Sequence, residues 1–123
     1  MEKELMIQEE QKQGCLLLHL SGDITKTSGD TLLRLHKWED GLGSGNHSLI
    51  LNFSDASYIN SAGIASLIRL VRLGTRGGYR TGCYGLHYHY EKLFKMVGLT
   101  KYMEIFPSEW VAVERLAAGK DER

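Results

Sequence analysis

The sequence is poor in the residue types that mark several specialised classes of protein. It has one proline and two cysteines, and its fifteen basic and fifteen acidic residues cancel. Cys15 and Cys83 both fall in strand-like runs and form no ligand pair by spacing, which is typical of buried reduced thiols. A net charge of zero predicts no overall attraction to nucleic acid or to acidic membranes.

Long apolar runs are also missing. No stretch approaches the ~20 residues that a membrane-spanning helix needs, and the first four residues, Met-Glu-Lys-Glu, do not resemble a signal peptide. We therefore expect a cytoplasmic protein without membrane insertion and without direct binding to nucleic acid.

The residues that are present predict one globular domain. The chain has 123 residues, 42% of them hydrophobic, and shows no repeat, linker or low-complexity segment. We expect a single domain over residues 1–123, with an ordered core of about 4–118 and fraying from Lys120 onward.

The order of the predicted elements indicates an α/β fold. Strands are predicted near 4–10 and 14–20, with a break at Ser21-Gly22-Asp23, and the second strand is the more apolar and the more central. Strands then alternate with helices, so we expect a mixed, mostly parallel sheet of about five strands with about four helices, and the first strand antiparallel at one edge.

Local patterns predict where the helices begin and what they bury. Thr27 or Ser28 is expected to cap the first helix and Ser108 the last. The predicted buried residues are Leu32, Leu35, Trp38 and Leu42 for the first helix, Tyr90, Leu93, Phe94 and Val97 for the third, and Trp110, Val111, Val113 and Leu116 for the last.

The stretch from Ser48 to Gly74 is the most informative. Leu49, Ile50 and Leu51 form an apolar run typical of a strand covered on both faces. A polar turn closing on Asn60-Ser61-Ala62-Gly63 follows, and then a helix over 62–74 that buries Ile64, Leu67, Ile68 and Val71. A buried strand thus delivers a small hydroxyl residue to the start of a helix.

A helix start is a favourable place for a phosphate. Its first amides lack intrahelical acceptors, and the macrodipole adds partial positive charge. Either Asn60 or Ser61 is expected to cap this helix, and a phosphate on Ser61 would suit the same position. From spacing alone, a capping serine without further function is the simpler interpretation.

The turn and three other stretches resemble STAS domains, in particular bacterial anti-sigma factor antagonists. The family's usual turn is Asp-Ser-Ser-Gly or Asp-Ser-Thr-Gly, and its first serine is phosphorylated. Here the turn is Asn60-Ser61-Ala62-Gly63, and the other matching stretches are Leu20–Ile24, Leu93–Leu99 and Ile105–Glu109.

The resemblance implies a partner-switching protein that is not an enzyme and needs no cofactor. It would bind an anti-sigma factor that is also a serine kinase, and so release the sigma factor. Phosphorylation of Ser61 would inactivate it, and a metal-dependent serine phosphatase would restore it. The expected partner-binding residues are Asp23, Thr25, Asn60, Ser61, Ala62, Gly63, Arg69, Leu70 and Leu73.

Two features shape the partner surface. Arg69, Arg72 and Arg76 fall on one stripe of the helix, and Leu70 and Leu73 lie outside its predicted buried set, which favours a docking face beside a solvated basic stripe. Asn60 replaces the family's usual Asp, and Thr25 stands where many relatives carry a second acid.

The alternative function is a permanent STAS scaffold or regulatory subunit, in a stress-signalling assembly or a lipid-transport complex.

Two other functions, metal binding and serine hydrolysis, agree less well with the sequence. Cys83, His87 and His89 resemble a metal cluster, but three ligands so close in sequence usually need a fourth from elsewhere, and we expect no metal site. A serine-hydrolase elbow at Ser61 would need glycine at position 59, which is Ile59.

Overall fold

The computed structural model describes residues 2–119, except for the side chains of the last two, and it is an α/β fold built on one five-stranded sheet. The strands are β1 (Met6–Lys12), β2 (Cys15–Ile24), β3 (Ser48–Ile59), β4 (Arg80–Tyr84) and β5 (Glu104–Phe106). The helices are α1 (Lys26–Arg34), α2 (Ser61–Arg76), α3 (Tyr88–Met96) and α4 (Glu109–Gly119), with short 3₁₀ helices at Trp38–Asp40 and Leu99–Lys101. No helix in this part of the chain is long and apolar enough to cross a membrane.

The sheet is mixed, as predicted. Its strand order is β1-β2-β3-β4-β5; β1 pairs antiparallel with β2, and the other neighbours are parallel. The apolar β2 lies inside the sheet between β1 and β3, which confirms the prediction that it is the more central of the first two strands.

Helices cover the sheet unequally. The larger core lies under α1, α2 and α3, and its fully buried members include Leu18, Leu32, Trp38, Leu67 and Phe94. The smaller core lies under α4 and includes Leu17, Ile50, Phe106 and Leu116. Successive strand residues alternate between these two cores because strand side chains point to opposite faces.

Both central strands are longer than predicted. β2 continues through Ser21-Gly22-Asp23, so the predicted break there is wrong. The expected polar turn before Asn60 is also wrong, because β3 runs for twelve residues to Ile59. Backbone pairing between the strands outweighs the weak strand propensity of these polar residues, and register shifts after His19 and Gly22 absorb the irregularity.

The first helix begins and ends earlier than predicted. Thr25 is its N-cap residue, and the Ser28 hydroxyl accepts the Thr25 N–H at 2.7 Å and donates to the Asp23 carbonyl at 2.9 Å. The helix ends at Arg34, which leaves Leu35 37% exposed, contrary to its predicted burial. Trp38 is fully buried, but from the 3₁₀ helix, and its indole N–H donates to the Leu32 carbonyl.

Two predicted core residues of the later helices are exposed. Val97 follows the last residue of α3 and is 44% exposed, and Trp110 of α4 is 71% exposed. Ser108 does cap α4 as predicted, since its hydroxyl accepts the Val111 N–H. The predicted fraying of Lys120–Arg123 lies outside the described residues.

Candidate functional site: the start of helix α2

The candidate site lies where β2 and β3 end side by side. Ile24 and Ile59, the last residues of the two strands, are paired in the sheet. The Asn60 N–H then donates to the Ile24 carbonyl at 3.1 Å. Because β2 and β3 are parallel, their carboxyl ends bring Thr25 and Asn60 to the same edge of the sheet.

Asn60, not Ser61, caps helix α2. Asn60 has extended backbone angles (φ −93°, ψ 179°), and its side-chain oxygen accepts the Gly63 N–H at 2.8 Å. Ser61 is the first helical residue, is exposed, and makes no side-chain hydrogen bond within residues 2–119. The helix therefore does not depend on the Ser61 hydroxyl, which leaves that hydroxyl open to chemistry.

Gly63 fixes the helix against β2. A Cβ atom at this position would lie 2.1 Å from the Ile24 carbonyl oxygen, far inside van der Waals contact. Gly63 is buried, and the neighbouring Ala62 is partly buried. The glycine at position 63 is thus needed for close backbone approach, and its negative φ shows that a left-handed conformation is not the reason.

Asp23 and Thr25 are both engaged by the N-terminal segment. The Asp23 carboxylate accepts the Lys3 N–H at 2.8 Å, and the Asp23 N–H donates to the Lys3 carbonyl. The Thr25 hydroxyl donates to the Glu2 carboxylate at 2.8 Å. Asp23 is only 7% exposed, so of these two predicted partner-binding residues, Thr25 offers more surface to a partner.

Two tyrosines lie at the site, and for neither of them did the sequence predict a place there. The Tyr90 hydroxyl of α3 accepts the Ile59 N–H at 3.0 Å, which ties the end of β3 to the third helix. Tyr58, two residues before Asn60, is 52% exposed. The contact made by Tyr90 has no sequence signal, because it joins residues distant in the chain.

The exposed face of α2 includes some of the predicted partner-binding residues and excludes one. Arg69 is exposed and Leu73 is partly exposed. Leu70 is fully buried, so the prediction that it lies on a docking face is wrong. It follows Ser61 by nine residues, which is two and a half helical turns at ~3.6 residues per turn, and therefore points to the opposite side, into the core.

The side chain of His87 serves local structure. His87 is the N-cap residue of α3, and its Nδ1 accepts the His89 N–H at 3.2 Å. Cys83 is fully buried, and burial raises the pKa of its thiol to about 12, which disfavours the thiolate that zinc binds. Among the residues described, no group of three or more His, Cys, Asp or Glu side chains is placed to hold a metal ion.

Comparison with solved structures finds the same fold in anti-sigma factor antagonists. A putative antagonist from Thermotoga maritima superposes with a TM-score of 0.72 at 14% identity, covering 90% of this chain and 94% of that one. SpoIIAA of Bacillus matches in both of its forms: unphosphorylated, with a TM-score of 0.70 at 16% identity (92% and 99% covered), and phosphorylated, with 0.66 at 20% (89% and 98%).

The fold also occurs inside a much larger protein. The murine anion transporter Slc26a9 matches with a TM-score of 0.67 at 17% identity, over 89% of this chain and 18% of the transporter. No curated protein sequence gives a significant match. At such identities the structural matches establish the fold, and the family is established by the STAS domain profile, which matches residues 6–112. The chain is a member of the STAS domain family.

Proposed function

We propose that this STAS domain is an anti-sigma factor antagonist controlled by phosphorylation of Ser61. It would bind an anti-sigma factor that is also a serine kinase, and a metal-dependent serine phosphatase would reverse the modification. In this scheme the chain is substrate and ligand rather than enzyme. The observation that carries the proposal is that Ser61 is exposed on the first turn of α2 while Asn60 alone caps the helix.

The geometry supports a modification that leaves the fold intact. A phosphate on Ser61 would lie beside the first amides of α2 and at the positive end of the helix dipole. Since the Ser61 hydroxyl makes no hydrogen bond within the described chain, its modification breaks none. A charge at a helix end changes stability by about 1 kcal/mol or less.

The same group would strongly oppose partner binding. A phosphate carries about −1.5 to −2 charges at neutral pH, and a partner docked over the start of α2 would have to desolvate it. Burying an uncompensated charge costs several kcal/mol. A cost of roughly 3–4 kcal/mol weakens binding by some hundreds-fold, at about 1.4 kcal/mol per decade.

Asn60 in place of the family's acid keeps one part of the motif and changes another. Its side-chain oxygen performs the capping that a carboxylate would perform. It lacks the negative charge, however, so a kinase that recognises an acid next to the serine would bind this turn less well. The proposal therefore implies a cognate kinase that accepts an amide here.

One observation favours a second candidate, a permanent regulatory or scaffolding subunit. The same fold forms 18% of the Slc26a9 anion transporter chain, so it also occurs as a built-in part of a larger assembly. In such a role Ser61 would stay unmodified and the exposed face of α2 would be permanently occupied. The two candidates differ in whether the state of Ser61 alters binding.

Phosphorylation of purified protein tests the proposal. Incubation with the kinase-type anti-sigma factor of the same genome and ATP should add one phosphate, located on Ser61 by mass spectrometry, and Ser61→Ala should abolish it. Calorimetric titration should show that Ser61→Asp, as an imperfect mimic, weakens binding to the kinase, with little change in melting temperature. Phosphate on Thr25 or Thr27, or equal affinity of all forms, would refute the switch and leave the permanent subunit as the better candidate.

A further inference from the structure

The exposed side of α2 carries a cluster of unpaired positive charge. Arg69, Arg72 and Arg76 are all exposed, and together with Leu73 they line one shallow depression on the helix surface. Helix α2 contains no Asp or Glu. Within residues 2–119, none of the three arginines forms an ion pair within 4.0 Å, whereas Arg80 pairs with Glu104 at 3.6 Å.

The helix dipole accounts for only part of this pattern. Cations are favoured at the negative C-terminal end of a helix, but the effect is confined to the last turn. Arg76 is the last residue of α2 and fits that explanation, while Arg69 lies seven residues earlier, about two turns away. A stabilising charge at the end of the helix therefore does not explain the whole cluster.

The arginines share a helix side with Ser61 but are attached two or more turns further along the axis. Residues 61, 65, 69, 72 and 76 are spaced by three and four, so they form one stripe. Arg69 is eight residues from Ser61, about 12 Å along the axis at ~1.5 Å per residue. A partner lying along α2 would meet the serine at one end and three free guanidinium groups at the other.

We propose that this stripe, Arg69-Arg72-Leu73-Arg76, is the electrostatic docking surface for an acidic face of the anti-sigma factor, an inference that rests on the function proposed above. The arginines span about 10 Å of helix axis, so the partner should present carboxylates spaced over the same length. Two turns of a helix with acidic residues at i, i+3 and i+7 meet this requirement.

Other occupants fit less well. A second copy of this chain would have to supply three acids along two turns of a helix, but none of the helices α1 to α4 carries more than two, Glu109 and Glu114 of α4. Nucleic acid is disfavoured by the zero net charge of the chain.

The test is the affinity for the kinase-type anti-sigma factor, measured by calorimetry at low and high salt. Arg69→Gln, Arg72→Gln and Arg76→Gln should each weaken binding about two- to fivefold, and the triple variant by about tenfold or more, with a flatter salt dependence. The matched control is Arg115→Gln, the same change at an exposed site on α4, which should bind like the wild type. Thermal melts of all variants should coincide.

The separation between the arginines and Ser61 adds a second readout. Sites more than about 7–10 Å apart act independently, so the fold-losses from Ser61→Asp and Arg72→Gln should multiply in the double variant. A loss much smaller than the product would show that the arginines act through the Ser61 charge, and would overturn the proposed independent docking surface.

The outcomes separate this inference from the function on which it rests. If the kinase phosphorylates Ser61 but binds the triple variant as tightly as wild type, the docking surface is wrong and the function stands. If no kinase binds or modifies the chain, the proposed function fails, and a helical peptide with Glu at i, i+3 and i+7 decides the inference. The inference is overturned if the chain binds this peptide no more tightly than a peptide with Gln at the same positions. It is also overturned if the arginines bind duplex DNA instead, or if the chain forms a dimer that dissociates in the triple variant.

Discussion

The two faces of the sheet are held together by different means. The face under α1, α2 and α3 is almost entirely apolar and very closely packed; a Cβ at Gly29 of α1, for example, would lie 2.2 Å from the Ser66 hydroxyl of α2. The face under α4 has a smaller apolar core and a set of polar contacts at its margin. The candidate site thus stands on the face with the larger apolar core.

The polar contacts on the α4 face form an ordered series. Asn52 accepts the Ser54 N–H at 2.8 Å, so its amide nitrogen faces His19 Nδ1, also at 2.8 Å. His19 must then donate from Nε2 to the Glu10 carboxylate. Such contacts are individually weak and partly solvated, so this face should tolerate substitution better than the three-helix face.

The largest expected effect is at Gly63 on the three-helix face. Gly63→Ala places a methyl group 2.1 Å from the Ile24 carbonyl, and two backbone segments must move apart to accommodate it. We expect a loss of about 3 kcal/mol or more in the free energy of unfolding. Urea denaturation measures it, with the exposed neighbour Ser61→Ala as a control that should stay within ~0.5 kcal/mol of wild type.

A smaller loss is expected where α1 crosses α2. In Gly29→Ala the new methyl group contacts the Ser66 side chain rather than backbone, so a shift of that side chain can reduce the overlap. We expect about 2 kcal/mol of destabilisation, and recovery of a good part of it in the double variant Gly29→Ala/Ser66→Gly. Denaturation of the four proteins of this cycle gives the coupling; strict additivity would contradict the contact.

Loss of the α2 cap should have a moderate effect. Asn60→Ala removes the acceptor of the Gly63 N–H and should cost about 1 kcal/mol. Asn60→Asp keeps the acceptor and adds a favourable charge at the helix start, so its stability should equal or exceed that of wild type. If both variants lost stability equally in thermal melts, the capping role would be wrong.

The smallest expected effect is on the α4 face. Glu109 at the start of α4 accepts hydrogen bonds from the Lys12 ammonium and from the Tyr84 hydroxyl, the latter at 2.8 Å. These two bonds lower the pKa of Glu109 below its ordinary value of 4.5. Because Lys12 and Glu109 are partly solvated, Glu109→Gln should cost only about 0.5–1 kcal/mol at neutral pH.

The same contact has a defined pH dependence. A carboxyl group whose folded-state pKa is lowered contributes stability above its unfolded-state pKa, here about 4.5, and this contribution is lost as the pH falls through the lower folded-state value. The difference in unfolding free energy between wild type and Glu109→Gln should therefore shrink below about pH 4.5. A difference that stayed constant down to pH 2 would show that the contact is not ionic.

Much of the fold was predictable because its main determinants are local. Apolar runs such as Leu49-Ile50-Leu51 and the three- and four-residue spacing of Ile64, Leu67 and Val71 predict strands and helices directly, and alternation of the two predicts the parallel sheet. The residues at which the strands and helices begin and end were less predictable. The polar ends of β2 and β3 are strands because each pairs with the other, which is information that no local pattern contains.

In the candidate site, too, features set by local sequence were predictable and contacts between distant residues were not. The motif predicted that Asn60 and Ser61 lie at the start of α2, and the structure places both there. The inward direction of Leu70 could have been found by counting turns from Ser61. The attachment of Lys3 to Asp23 and of Tyr90 to Ile59 could not, since each joins residues about 20 or more apart in sequence.

In the switch proposed above, the unbonded hydroxyl of Ser61 has a kinetic consequence. A group that makes no internal hydrogen bond can be modified without first being freed, so no local unfolding has to precede attack by a kinase or a phosphatase. Nor does the chain have to refold afterwards. The response time of such a protein would be set by the turnover of those enzymes and by the dissociation of its partner, and its own folding would add no delay in either direction.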